Sequence, residues 1–444
     1  MVTQRSSIAV LVSVILPLWS GTARAQNLAD LIPNLLGSTT VINARSATGV
    51  DHTAHFVPDL TQRVEAPAQI NDAIVSQLTT FPLGTSSGGF TYTFDPALNT
   101  FNRRSESFGP LFAERALTVG RNRASFGMNY QHSSYDRMAG MDLHGSELKF
   151  IVRHNDCCPA GAAGTTPLEP PFEGDVIEAA LSLDLKTDIV SFFGSYGVTD
   201  NLDIGVVVPI VSVDMAASVS LNLLRLATTG LTPPPHSFND AGSTTRVLQD
   251  EGSASGLGDM IVRAKYNFLK RGDGGLAAAV DLRLPTGEVE QLLGTGSTQA
   301  KFFVIGSTGM GALSPHFNFG FTASSEGVKH QRDEVNFATG IDFTATQRLT
   351  VAADVIGRTL RNAGRFTTVT DIVQFRTVAA GPLQNSSLSR IDLEAGSLHL
   401  LLGAAGLKYN PTGNLLITVN ALFPLTNAGL QDRFTPVVGI DYAF

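Results

Sequence analysis

Apolar and polar residues alternate along most of the chain from about residue 89 onward. One segment, for example, places Phe317, Phe319 and Phe321 at every second position. A period of two is the period of a β-strand, in which successive side chains point to opposite faces. Five further segments repeat the pattern, at residues 260–268, 276–284, 335–343, 351–358 and 415–423. The pattern therefore predicts antiparallel β-structure with one apolar face and one polar face.

The charged residues of these six segments all fall on the polar face. They are Arg263, Lys265, Asp281, Arg283, Asp342, Asp354 and Arg358. An Arg or Lys facing the bilayer midplane costs about 2–4 kcal/mol, which would keep a lipid-facing surface free of charge. We therefore predict that lipid covers the apolar face and that these seven residues face a lumen, where they are candidates for solute selectivity. Alternatively, they pair to brace adjacent strands, and the two roles are compatible. The same inner face carries small residues that would leave room in a lumen, namely Ala277, Ala279, Gly340 and Ala352.

The connections between the predicted strands alternate between short and long. Tight turns fall at residues 200–201, 271–274, 346–347 and 410–413, whereas residues 223–257 and 362–396 form long polar connections. Outer-membrane barrels have short periplasmic turns and longer external loops. The fold class predicted is an all-β, transmembrane, antiparallel up-and-down barrel of about 12–14 strands. Residues 178–198 exceed a span of about 9–11 residues and shift their apolar phase, so they are either one bulged strand or two strands.

Both ends of the chain indicate export to an outer membrane. Arg5, an apolar run at residues 8–19 and the small-residue site Ala23-Arg24-Ala25 predict a signal peptide at residues 1–25. The last strand alternates and ends in Tyr442 and Phe444. This ending is typical of outer-membrane barrels, so we predict that both residues form the signal read by the barrel-assembly machinery.

Residues 26–88 lack strict alternation and are predicted to form an N-terminal extension or a plug. Within them, Ile70, Ile74 and Leu78 recur at a four-residue spacing that predicts one short amphipathic helix. The barrel itself is assigned to residues 89–444.

Composition supports this class. Only 16% of residues are charged, and Phe, at 26 residues, far outnumbers Trp, at 1. After the signal segment there is no uninterrupted apolar stretch of about 18 residues, so a helical membrane span is excluded. The formal net charge of −8 argues against nucleic acid as a partner.

The sequence predicts no metal and no cofactor. Cys157 and Cys158 are adjacent, so they form either a strained disulfide or an ordinary thiol pair, and two ligands are too few for a structural zinc site. His52 and His55 lack further ligands in their neighbourhood.

No enzymatic activity is predicted either. A nucleophile needs an oriented base beside it. Ser133 and His132 are sequence neighbours, so in a strand they point to opposite faces. Ser397 and His399 share a face but have no evident third member.

Two motifs resemble a known family. RSESFGPLFAER occupies residues 104–115, and YGVTDNLD occupies residues 196–203, followed by Val208-Pro209. Together they resemble outer-membrane transporters of the phenol-degradation meta-pathway type, which are related in architecture to long-chain fatty-acid and aromatic-hydrocarbon channels. The resemblance covers roughly residues 89–444. The Asn-Pro-Ala element that fatty-acid channels often carry near the N-terminus is absent there, which argues against a fatty-acid substrate.

The resemblance implies passive uptake of small apolar or aromatic molecules, with outer-membrane lipid and a small hydrophobic solute as partners. Two alternatives stay open at this stage. One is a barrel with a structural or binding role through its long external loops. The other is a soluble secreted β-sandwich, whose sheet faces would also alternate.

Overall fold

The computed structural model describes residues 27–37, 56, 70, 73–78, 80, 82, 89–95, 100–103, 105, 107–154, 174–230, 232, 234, 236–325, 333–377 and 381–444. The predicted signal peptide, Cys157, Cys158, His52 and His55 lie outside these residues. The predicted helix at residues 70–78 is confirmed where it is described, since residues 70 and 73–78 are helical. Among the described residues, no helix is both long and apolar enough to cross a membrane.

One longer helix and a series of strands make up the described chain. In chain order they are α1 (Leu28–Gly37), β1 (Tyr92–Asp95), β2 (Thr100–Arg103), β3 (Ala124–Tyr135), β4 (Arg137–Met138), β5 (Met141–Asp142), β6 (Leu148–Arg153), β7 (Val176–Gly197), β8 (Leu202–Leu224), β9 (Thr245–Leu257), β10 (Ile261–Arg271), β11 (Gly274–Arg283), β12 (Gln299–Ser307), β13 (Leu313–Ser324), β14 (Glu334–Thr346), β15 (Leu349–Leu360), β16 (Arg365–Phe375), β17 (Gln384–Glu394), β18 (Leu398–Tyr409), β19 (Leu415–Pro424), β20 (Leu430–Gln431) and β21 (Thr435–Ala443). A 3-10 turn lies at Val289–Gln291.

Twelve antiparallel strands close into a barrel. Going round the ring, the strands are β3, β7, β8, β10, β11, β12, β13, β14, β15, β18, β19 and β21, and β21 pairs with β3 to complete the circle. The predicted up-and-down barrel is confirmed, with a strand number at the lower end of the predicted range. A soluble β-sandwich is excluded, because two packed sheets would leave open edges where this sheet has none.

The apolar face points outward, as predicted. Phe319 is 58% exposed and Phe302 is 55% exposed, whereas Lys265 is 2% exposed and Asp354 is 2% exposed. Large apolar side chains on the outside of a closed barrel form the band that contacts hydrocarbon. The protein is therefore a transmembrane β-barrel, and the buried face lines its lumen.

Strand β7 corrects the expectation of a bulge or of two strands. It is one strand of 22 residues that pairs with β8 without a register shift. Its odd-numbered side chains stay buried throughout, from Leu181 to Ser195. The apolar residues change face because the surroundings change: Leu183 faces a protein core above the membrane, whereas Phe192 is on the outer face within it. At about 3.3 Å per residue, the strand is about 70 Å long, well beyond a hydrocarbon core of about 30 Å.

The two long connections are also more ordered than expected for polar loops. The first includes β9, which pairs with the upper part of β8, and the second folds into the β16–β17 hairpin. The hairpin reaches across to β6, where Arg153 Nη2 donates to Asp371 Oδ2 at 2.7 Å. These strands, α1 and the helical residues 73–78 share one hydrophobic core at this end of the barrel.

The opposite end carries the tight turns and the predicted aromatic girdle. Tyr196, Tyr409 and Tyr442 lie within two residues of the ends of β7, β18 and β21, and all three are exposed. Tyr266 is exposed on β10 on the same side of the barrel. Short turns mark the periplasmic end of an outer-membrane barrel, and the tyrosines form the aromatic girdle expected at a membrane interface. The loop end is therefore the external end.

Candidate functional site: an occupied lumen

A short segment that precedes the first barrel strand occupies the periplasmic half of the lumen. This segment, residues 107–119, is here termed the plug. Its backbone and side chains bond to inward-facing residues of β8, β10, β12, β14, β15 and β18. Because these strands lie on different sides of the ring, the plug crosses the lumen instead of lining one wall.

One carboxylate of the barrel binds three successive backbone N–H groups of the plug. Leu111 N, Phe112 N and Ala113 N donate to Asp354 Oδ2 at 3.0, 2.7 and 3.1 Å. The other oxygen of Asp354 lies 2.8 Å from His316 Nε2. Charge-assisted hydrogen bonds to buried N–H groups are roughly twice as strong as neutral ones, so Asp354 is a principal anchor of the plug.

A second carboxylate extends this anchor. Asp342 Oδ1 lies 3.1 Å from His316 Nδ1, and Asp342 Oδ2 accepts a hydrogen bond from Ser107 Oγ. His316 thus bridges two carboxylates that both hold the plug. Gly340 makes room for this arrangement, since a Cβ there would collide with Asp354 Oδ1 and His316 Nε2.

Cations of the barrel bind the carbonyl oxygens of the plug. Lys408 Nζ donates to Pro110 O at 2.5 Å, and Lys265 Nζ donates to Leu117 O at 2.9 Å. Asn267 Nδ2 donates to Ala116 O at 2.6 Å. A buried irregular segment must have its backbone groups satisfied, and here side chains of the barrel provide the partners that a helix or a sheet would otherwise supply.

Ion pairs and small residues complete the fit. Glu114 of the plug pairs with Arg263, which also donates to both oxygens of Asp281 at 2.5 Å. Ala277 and Ala279, which the sequence placed on the inner face, pack with Ala116. The room that small residues leave in the lumen is therefore occupied in this region by the plug.

The end of the plug binds the second resemblance motif, residues 196–203, at the periplasmic end. Val119 N, at the end of the plug, donates to Asp203 Oδ2 at 3.0 Å. Thr118 Oγ1 donates to the carbonyl of Asp200 at 2.7 Å. Asp200 lies in the β7–β8 turn and Asp203 is the second residue of β8, so this motif helps to position the plug.

Above the plug, three cavities follow one another toward the external end. An outer cavity of about 630 Å³ lies between the base of the β16–β17 hairpin and residues 427–429. A narrow middle cavity of about 40 Å³ shares Gln77 and Ala428 with it. An inner chamber of about 180 Å³ shares Ile356 and Arg358 with the middle cavity and has Phe112 and Glu114 of the plug among its walls.

The seven candidate lumen residues all lie on the inner face, but the structure divides them between two tasks. Lys265, Asp342 and Asp354 hold the plug, whereas Arg283 and Arg358 line the inner chamber and Arg263 and Asp281 belong to both regions. The cross-strand pairs Arg263–Asp281 and Arg358–Glu334 also brace neighbouring strands. A role in selectivity stays a prediction.

Sequence reasoning missed several residues of the site. They are Glu114, Lys301, His316, Glu334 and Lys408. Glu114 lies within the first resemblance motif, and the other four lie on polar faces of alternating strands. The alternation could have identified those four as inward-facing, but it carried no signal that a segment before the barrel would reach them.

The remaining candidates have other partners. His132 Nδ1 lies 2.8 Å from Asp188 Oδ1, and Ser133 Oγ lies 3.4 Å from Thr435 Oγ1, so these neighbours do not pair. His399 Nδ1 lies 3.0 Å from Thr359 Oγ1. In the described part of the chain, no group of three or more His, Cys, Asp or Glu residues could hold a metal ion.

Comparison with known proteins supports the resemblance. The family described as "Putative MetA-pathway of phenol degradation" matches residues 181–383. The resemblance inferred from the two motifs is thereby confirmed, and the match includes the β7–β8 turn motif. The comparison with curated proteins found no match.

Among solved structures, the chain is similar to an outer membrane channel from Pseudomonas putida F1, with 12% identity, a TM-score of 0.41 and coverage of 74% of this chain and 98% of that one. It is also similar to a Pseudomonas aeruginosa FadL homologue, with 12% identity, a TM-score of 0.31 and coverage of 81% and 97%. The Ralstonia pickettii toluene transporter TbuX gives 11% identity, a TM-score of 0.28 and coverage of 73% and 90%. The identities and TM-scores are low, so the assignment of a barrel rests on the strand pairing of this chain.

The protein is thus an outer-membrane β-barrel whose lumen contains cavities in its external half and is filled in its periplasmic half. The filling segment is held by hydrogen bonds and ion pairs, with no covalent link among its described contacts. Such an arrangement can bind a small molecule above the plug and release it below only if the plug moves.

Proposed function

We propose that this protein is an outer-membrane channel for the passive uptake of small apolar or aromatic molecules. The observation that carries the proposal is the series of three adjoining cavities, which leads from the external end to the plug. Their walls combine apolar groups such as Ile356 and Phe112 with a few polar ones, the usual composition of a small-molecule site. The family match and the channels among the similar structures support this proposal.

We further propose that two segments close the channel. The plug blocks the periplasmic half, and the described part of residues 26–88 covers the external mouth. In the latter, Gln77 Oε1 accepts a hydrogen bond from Leu430 N at 2.6 Å, and Thr80 Oγ1 accepts one from Arg358 Nη2 at 2.7 Å. The helical residues of this cover also pack in the external hydrophobic core, so both segments must move before a solute can pass.

The test is uptake by cells of a strain that lacks other channels for aromatic solutes. We expect the initial uptake rate of labelled toluene to rise several-fold over cells with an empty vector. Ile356→Trp should return the rate toward the empty-vector value, because Ile356 lies where the middle cavity and inner chamber join. Val351→Trp is the matched control, since Val351 is 40% exposed on the outer face of the same strand.

Equal uptake with and without the wild-type protein would contradict the proposal. It would then favour the alternative of a surface protein that acts through its external segments. In that case, replacing residues 365–394 with a short turn should abolish binding of a partner without any effect on solute entry.

We propose that the C-terminal aromatic residues serve barrel assembly. Tyr442 and Phe444 are 41% and 61% exposed, their ring centroids lie 4.8 Å apart, and Phe444 N donates to Ala124 O at 2.9 Å. We expect deletion of Phe444 to lower the amount of folded protein in outer-membrane fractions several-fold, measured by the heat-dependent shift on a denaturing gel. Phe434→Ala is the control, because this residue is equally exposed but lies in the external loop before β21.

A further inference from the structure

The inner chamber has an excess of positive charge. Among the described residues that line it, four are cationic and three are carboxylates: Arg263, Arg283, Lys301 and Arg358 against Glu114, Asp281 and Glu334. Residues 83–88, which follow Pro82 in the chain, contain no carboxylate. The chamber lies between the plug and the external cover, and charges interact more strongly in such an interior site than in bulk water.

All three carboxylates are already bound to arginine. Asp281 receives two hydrogen bonds from Arg263 at 2.5 Å, and Glu114 pairs with the same guanidinium. Glu334 Oε2 accepts from Arg358 at 3.0 and 2.6 Å. Arg263 and Arg358 thus hold the chamber carboxylates directly through charge-assisted hydrogen bonds, whereas Lys301 does not.

Lys301 is the cation best placed to use this excess. Its Nζ lies 5.0 Å from the centroid of the Phe303 ring. Among the described residues, no carboxylate oxygen lies within ion-pair distance of its ammonium. Asp281 and Glu334 are near enough to attract this ammonium, but both carboxylates are held by arginines, so a bound anion would give Lys301 a direct contact of its own.

The size and the other walls of the chamber define what kind of anion fits. Its volume of about 180 Å³ suits one aromatic ring with a small substituent, since a cavity of about 150 Å³ admits benzene. Phe112, Phe303, Ile261 and Ile356 supply apolar surface on the same walls as the cations. A purely inorganic anion would leave that surface unused.

We propose that the inner chamber binds a small aromatic carboxylate, with the carboxylate on the Lys301 ammonium and the ring against Phe303, Phe112 and Ile356. The inference rests on the proposed uptake function and narrows its substrate class to monoanionic single-ring acids. Lys301 would then act as a specificity-determining residue, because an ammonium favours the acid over a neutral ring of equal size.

The test compares binding of labelled benzoate and labelled benzyl alcohol to the detergent-purified full-length protein by equilibrium dialysis. The two molecules share a ring and differ in charge. We expect benzoate to bind at least about tenfold more tightly than benzyl alcohol, as one charge-assisted contact is worth about 1.5–3 kcal/mol. Lys301→Met should remove this preference, and Lys301→Arg should restore most of it.

Lys149→Met is the matched control. Lys149 lies on β6 at the external end, where it pairs with Glu178 at 3.2 Å, so its loss should leave benzoate binding unchanged. The heat-dependent gel shift confirms that each variant is a folded barrel before binding is measured.

Equal affinity of the wild type for the two ligands would overturn the inference, as would an unchanged preference in Lys301→Met. Displacement of benzoate by an equal concentration of chloride would also overturn it, because the site would then recognise charge alone. These results are distinct from failure of the proposed function. A protein that takes up toluene in cells but shows no preference for benzoate remains a channel without an acid site.

Discussion

Replacing Asp354 with alanine should open the barrel. The carboxylate accepts hydrogen bonds from Leu111 N, Phe112 N and Ala113 N and also contacts His316, so its removal leaves three buried N–H groups without their acceptor. Breaking a buried charged network of this kind costs about 3–5 kcal/mol. The equilibrium between the seated and the released plug should shift by about a hundredfold or more.

Single-channel recording in planar bilayers measures this shift. We expect the wild-type protein to show a low and mostly closed conductance, and Asp354→Ala to show frequent, larger openings. Asp354→Asn should fall between them, because the amide keeps one acceptor oxygen but loses the charge.

Asp184→Ala is the control for the loss of a carboxylate. Asp184 lies on β7, is about half exposed and pairs only at the surface with Lys186 at 3.0 Å. The conductance of the Asp184→Ala variant should match that of the wild-type protein. If Asp354→Ala folds normally but conducts no more than the wild type, the plug does not limit passage through the lumen.

Replacing Phe319 with arginine should cause the largest loss of stability from a single outer-face change. Phe319 lies at the middle of β13 and is 58% exposed on the lipid side. A charge there costs about 2–4 kcal/mol at the bilayer midplane. We expect the free energy of unfolding from lipid vesicles, measured by denaturant titration, to fall by that amount.

Phe319→Leu keeps the position apolar and should change the free energy of unfolding by less than about 1.5 kcal/mol. If Phe319→Arg lowers the free energy of unfolding no more than Phe319→Leu does, the outer face does not contact hydrocarbon at this position.

Strand β13 shows why the barrel could be predicted. Its three outward phenylalanines and its inward His316 follow from a period of two, and hydrocarbon imposes that period on every strand that it contacts. The exclusion of charge from the lipid-facing side also predicted correctly that Asp342 and Asp354 face the lumen. Tight turns and the C-terminal strand gave the orientation in the same way, because they are local features.

Strand β7 shows where the local rule fails. The apparent change of phase between Leu185 and Val190 is a real feature of the sequence, but it marks the membrane boundary and not a bulge. Above that boundary, Leu185 packs in the shared external core, so the apolar face is the inner one. Which face of a strand is apolar depends on whether protein, lipid or water contacts it, and only the tertiary structure shows those contacts.

The plug is the clearest feature that sequence alone did not provide. Residues 107–119 show neither the period of a strand nor that of a helix. Their backbone groups bond instead to side chains that are distant in sequence, such as Asp354, Lys265 and Lys408. The first resemblance motif overlaps this segment, but the resemblance did not indicate that the segment lies inside the lumen. Its partners become identifiable only when the ring of strands is closed.

The sequence by itself determined the solvent on each face, the barrel class and the direction of the chain, since each follows from short-range alternation against hydrocarbon or water. The tertiary structure decided what fills the lumen, which of the inward charges anchor the plug and which line the chamber. Those properties depend on contacts between residues far apart in the chain, and no local pattern encodes such contacts.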